Sequence, residues 1–89
     1  MKAVVTVVGK DRVGIIAEVC TDLAAFQVNV LDIRQTVMQG YFTMMMVVEV
    51  SECTLPLAEL CKAMDAKGQE MGVSIRVQRE DIFEAMHRV

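Results

Sequence analysis

"VNVLDIRQTVMQGYFTMMMVVEV", residues 28–50, decides the fold. Residues 28–39 have the β-branched content and mixed alternation of a strand, Gly40 marks a tight connection, and residues 41–50 form a second strand, so the stretch is a hairpin. In the second arm Phe42, Met44, Met46, Val48 and Val50 fall on one side, with Met45 and Val47 on the other. Both faces are apolar there. An exposed apolar sheet face marks an interaction surface, which predicts cover from a C-terminal helix or a second subunit, a homodimer being the simplest solution. The run Met44 to Met46 reads as core filling rather than a metal site, because neighbouring strand residues point to opposite faces.

Working outward, the N-terminal flank "KAVVTVV", residues 2–8, is short and β-branched and predicts a strand that stops at Gly9. From Val13 the period changes. Ile15, Ile16, Val19, Cys20, Leu23 and Phe26 recur at three- and four-residue steps, with Glu18 and Asp22 opposite, as in an amphipathic helix. Asp11 is its expected N-cap. On the other flank, residues 55–71 predict a second helix opened by Thr54 and Pro56 and closed by Gly72. "VSIRVQ", residues 73–78, alternates as a half-exposed strand should. Ile82, Phe83, Met86 and Val89 then predict a short helical tail over residues 80–89.

The resulting order is βαββαβ plus the tail. This is the α+β, ferredoxin-like arrangement, with two helices on one face of a four-stranded antiparallel sheet. Eighty-nine residues form one domain, with residues 2–78 as its core, and a chain this small often gains stability by association. Its hydrophobic content of 54% exceeds the roughly 45–50% usual in soluble domains. A net charge of −3 and a pI near 5.0 argue against nucleic acid and anionic membranes as partners. No stretch approaches a membrane span and no leader pattern opens the chain, so a cytoplasmic location is expected. Cys20, Cys53 and Cys61 include no C-x-x-C pair, and His87 stands alone, so neither a disulfide framework nor a metal site is expected. The thiols read as reduced and packed in the core.

The loop "GKDRVGI", residues 9–15, lacks the glycines and the Lys-Ser or Lys-Thr of a phosphate loop, and it lacks the three spaced glycines of a dinucleotide fingerprint. Two readings remain. Gly9 serves a sharp turn and Gly14 close packing, or the loop presents the free amides of a helix N-terminus to a ligand such as a carboxylate.

"GKDRVGIIAEVCTDLAAFQVNVLDIRQ", residues 9–35, resembles the opening of an ACT domain: a strand, a D-R-P-G type loop, a helix beginning with two aliphatics, then N-I or N-V in the second strand. Asp11, Arg12, Gly14, Ile15, Asn29 and Val30 fit that pattern, while Val13 stands where many members have Pro. The whole chain is similar to small stand-alone ACT proteins. Its first half resembles the ACT modules of formyltetrahydrofolate deformylase and of glycine-cleavage regulators. The resemblance implies a non-catalytic regulatory module, without a cofactor, that binds a small ligand, commonly an amino acid, at a homodimer interface and acts on a client enzyme or regulator. The contacts it implies are Asp11, Arg12, Val13, Gly14, Ile15 and Asn29. Amides near Val13 to Ile15 suit a carboxylate, and Asp11 or Asn29 suits an ammonium group. Each side chain also has a structural role open to it: a cap for Asp11, a solvated charge for Arg12, a backbone hydrogen bond for Asn29.

Two other classes compete. Acylphosphatases share this topology and use an Arg in the first loop with an Asn on a following strand, which Arg12 and Asn29 echo. "GKDRVGI" nevertheless lacks that family's longer loop, and Asp11 weakens the positive field a phosphoryl oxygen requires. The third class is a protein-interaction module with no small ligand. Asp32 and Arg34 project to one strand face, where either an exposed ion pair or an intersubunit contact is open.

Overall fold

The N-terminal β-branched run forms β1 (Lys2–Lys10) in a computed structural model that describes residues 1–10 and 13–81. It is followed by α1 (Ile15–Ala25), β2 (Asn29–Met38), β3 (Tyr41–Glu49), α2 (Leu57–Met71) and β4 (Ser74–Arg79). The strands pair antiparallel in the order β2-β3-β1-β4, so β1 and β3 are central and β2 and β4 are edges. This is the ferredoxin-like arrangement expected.

Residues opposite each other on antiparallel strands share a face. Val5 lies opposite Met46 and Val77, Val7 opposite Met44 and Ile75, and Ala3 opposite Val48. These residues are buried together with Ile15, Val19 and Leu23 of α1 and Leu60 and Met64 of α2, which places both helices on this face. The methionine run divides as its alternation predicts: Met44 and Met46 are fully buried, while Met45 is 36% exposed on the other face.

The hairpin between β2 and β3 turns on two residues, Gln39 and Gly40, at φ 51° and 82°. Positive φ at both positions matches the twist of the strands the turn joins. The pairing of β2 with β3 slips between Val30 and Asp32, leaving Leu31 as an extra residue in a β-bulge.

The two glycines of the first loop exchange their expected roles. Gly9 does not end the strand, which runs on to Lys10; a Cβ at Gly9 would lie 2.6 Å from Val73 Cγ1, so its lack of a side chain serves close packing. Gly14 is the turn residue, at φ 93° with open space around it. The helix accordingly begins later than its sequence pattern suggested. Gly14, rather than Asp11, is the N-cap of α1, because a left-handed residue there breaks the chain direction just before Ile15. For α2 the cap position is Pro56, with Gly72 at φ 75° closing the helix.

Residues 82–89, most of the expected helical tail, lie outside the described residues. The three cysteines are free and half-buried at the margin of the core. The Cys61 thiol donates to the carbonyl of Val77 at 3.2 Å, and burial pushes its pKa up.

Candidate functional site

The β1–α1 turn is built from opposites. Ile15 is 1% exposed and fixes the start of α1 in the core, while Val13, two residues earlier, is 98% exposed. Gly14 makes that reversal within one residue by its left-handed backbone. The first helical hydrogen bond runs from the N–H of Glu18 to the carbonyl of Gly14 at 2.9 Å. The amides of Ile15, Ile16 and Ala17 therefore precede the ladder, and the cap residue has no side chain to accept from them. These amides and the helix dipole favour an anionic group at this end, opposed in part by Glu18 in the first turn.

Of the six residues expected to contact a ligand, Val13, Gly14 and Ile15 are consecutive in this turn. Asp11 and Arg12 lie outside the described residues. Asn29 stands apart. Lys10 at the end of β1 is opposite Tyr41, and Tyr41 is opposite Met38, so the turn follows the end of the sheet that carries the hairpin. Asn29 is opposite Glu49, and Glu49 is opposite Lys2, at the other end. The length of β1 between the two ends is roughly 26 Å. Around Asn29 the chemistry is also different. Glu49 accepts from the amino group of Met1 at 2.7 Å and from the Ser51 hydroxyl at 2.7 Å, contacts that hold its carboxyl down to about 2.

On the sheet face away from the helices, Asp32 and Arg34 line an apolar depression of about 160 Å³ together with Val4, Met45 and Val47, and Ile33, which stands opposite the buried Met46, also contributes to its lining. The bulge at Leu31 sets the register in which Asp32 and Arg34 stand opposite Val47 and Met45. Asp32 Oδ1 accepts from the N–H of Ile33 at 2.8 Å and forms no ion pair with Arg34 among the described residues. A larger, polar cleft of about 320 Å³ lies between the helices, lined by Glu18, Asp22, Lys67, Glu70 and Met71. Among the described residues no group of three His, Cys, Asp or Glu could hold a metal ion, and no helix is long and apolar enough to cross a membrane.

The family model of the ACT domain matches residues 2–78, the full span from β1 to β4. The chain belongs to the ACT domain family. Members of this family are typically regulatory and bind small ligands. A UPF0237 protein from Listeria innocua is 48% identical over 89 residues, covering all of both chains. An ACT domain protein from Streptococcus pneumoniae, known as a solved structure, is 46% identical, covers 98% of each chain and superposes with a TM-score of 0.83. The fold recurs within a larger protein as well. A formyltetrahydrofolate deformylase from Pseudomonas syringae shares it at a TM-score of 0.79 and 21% identity, over 88% of this chain and 27% of that one.

The register between strands could not be read from the ACT motif alone. The motif joins Asn29 to the first loop by a short sequence distance, yet α1 carries the chain back along the sheet before Asn29 is reached. The signal that was available is β2 itself: Leu31, Ile33, Val37 and Met38 are apolar residues on a strand whose side chains are all exposed from residue 31 onward.

Proposed function

We propose that this ACT domain is a non-catalytic cytoplasmic regulatory module that binds a small ligand, an amino acid as first candidate, between two copies of the chain, and signals through a client enzyme or regulator. The observation that carries the reading is the β1–α1 turn, whose backbone offers the amides at the start of α1 beside the open space at Gly14. A carboxylate suits those donors. A ligand with an ammonium group next to its carboxylate also needs an acceptor, and Asn29 supplies one from a second copy, since its own chain holds it at the far end of the sheet. Asp11 and Arg12, adjoining the turn in sequence, complete the candidate set.

The same separation disfavours the hydrolase alternative. An acylphosphatase-like reaction asks Asn29 to orient water beside the β1–α1 turn of its own chain, and the two are a strand length apart. The interaction-module reading predicts no response to any small molecule.

A thermal-shift screen against the twenty amino acids tests the proposal, because a ligand that binds only the folded state raises Tm. A selective, concentration-dependent rise is expected, reduced in Gly14→Ala and Asn29→Ala. Wild-type ligand affinity in both folded variants would remove the site from these residues.

A further inference from the structure

We propose that the sheet face away from the helices is the docking surface of this chain's own C-terminal segment, residues 82–89, which crosses from the end of β4 over β1 and β3 with Phe83 and Met86 set against Val4, Met45 and Val47.

Burial on that face is uneven. Val4 alternates with Ala3 and Val5, so it points away from both helices, yet it is 5% exposed. Further along the same face of β1, Thr6 is half-buried and Val8 is 42% exposed. The neighbouring strands repeat the gradient. Val47 and Gln78, opposite Val4, are half-buried, while Thr43 and Ser74, opposite Val8, are exposed. Val4 and Val8 both have a paired strand on either side, so strand pairing does not separate them. The shielded row is the one beside which β4 ends.

Arg79, the last residue of β4, stands opposite Ala3 and next to that row. Glu80 and Asp81 begin a helical turn there, held by two hydrogen bonds that the Arg79 guanidinium donates to the Asp81 carboxylate, at 2.8 and 3.1 Å. The chain therefore leaves the sheet at the corner of the shielded row. Continued as a helix, residues 80–89 reach about 15 Å, and the three strand spacings from β4 to β2 amount to about 14 Å. One helix of this length spans the sheet from edge to edge.

The chemistry of the two surfaces matches as well. Ile82, Phe83, Met86 and Val89 share one side of such a helix, and Glu80, Asp81 and Glu84 lie on the other. On the sheet, the apolar depression at Val4, Met45 and Val47 lies between Arg34 on one edge strand and Arg76 on the other, since both arginines stand in the row of Met45 and Thr6. An apolar stripe beside carboxylates suits an apolar strip between arginines. Tethering favours this occupant over a second copy, because a segment joined directly to β4 meets the face at an effective concentration in the millimolar range.

The test is NMR on the full chain. Phe26 and Phe42 pack in the core on the helix side, so contacts between a phenylalanine ring and the open face report Phe83. Nuclear Overhauser effects from that ring to the methyls of Val4, Val47 and Met45 are expected, and Phe83→Leu should remove them. In an equimolar mixture of ring-labelled and methyl-labelled chains the same contacts are expected to vanish, because ring and methyls belong to one molecule. Contacts that persist in the mixture would give the face to a second copy and overturn the proposal. So would their absence from the uniformly labelled chain, which would leave the face to another partner. Thermal melts supply a second reading. Phe83→Ala and Met86→Ala are each expected to lower Tm by roughly 4 °C or more, and Arg88→Ala, on the other side of the segment, to leave it in place. An unchanged Tm in both apolar variants would overturn the contact.

Discussion

Gly68 lies inside α2, where helix propensity alone favours alanine by ~1 kcal/mol. Packing reverses that preference. A Cβ at Gly68 would stand 2.8 Å from the carbonyl oxygen of Val73 and 3.0 Å from Ile75 Cγ1, and the Val73 amide donates to the Gly68 carbonyl at 2.8 Å. A backbone carbonyl cannot turn aside as a flexible side chain can. Gly68→Ala is therefore expected to destabilise the domain by ~1–3 kcal/mol, the range for overpacking a tight contact, as read by urea denaturation. A neutral or stabilised variant would show that α2 lifts from β4 without cost. The sequence displays glycines without displaying which freedom each one uses. Gly9 and Gly14 both look suited to a turn or to a close approach, and only the neighbours decide: Val73 presses on Gly9, and nothing presses on Gly14.

Element boundaries depend on similar local strain. Period, together with the turn and end signals at Gly40, Thr54, Pro56 and Gly72, brought the hairpin, both helices and β4 out of the sequence, because a core on one side of a sheet imposes alternation and a helix on that sheet imposes steps of three and four. Helix ends were less legible. Beyond α1, Phe26 is the C-cap and Gln27 takes the left-handed region at φ 63°, its amide bonded to the Ala24 carbonyl at 3.0 Å, while the Val28 amide closes on Leu23 at 3.0 Å. That geometry usually selects glycine. Gln27→Gly removes a left-handed cost of ~1–2 kcal/mol at the expense of greater freedom in the unfolded chain, so a net gain of ~0.5–1 kcal/mol is expected in denaturant midpoint at unchanged slope. A loss would mean that the Gln27 side chain supports the turn. The bulge at Leu31 was likewise hidden, since one extra residue in a strand leaves composition unchanged while altering every register beyond it.

At the scale of the molecule, the sequence made the candidate site look contiguous because the ACT motif is contiguous in the chain. Space divides it. The turn at Gly14 and the residue Asn29 sit at opposite ends of one sheet, and a second copy is the element that can join them. The proposed site, shared between two copies, ties two equilibria together. A ligand held by amides of one copy and by Asn29 of the partner subunit binds the dimer alone, so it must tighten dimerisation, and by linkage dimerisation must tighten the ligand by the same free energy. At a ligand concentration of about 100 times its Kd, each occupied site contributes ~2.7 kcal/mol, enough to lower the dimer Kd by about a hundredfold per site. The expected result is a sedimentation profile that moves toward dimer as an amino acid identified by thermal shift is added, together with a Tm that rises with protein concentration. Asn29→Ala should leave the ligand-free dimer intact and abolish the ligand's effect on it. A compound that raises Tm while the chain sediments as a monomer would place the whole pocket in one copy, within reach of the β1–α1 turn and without Asn29.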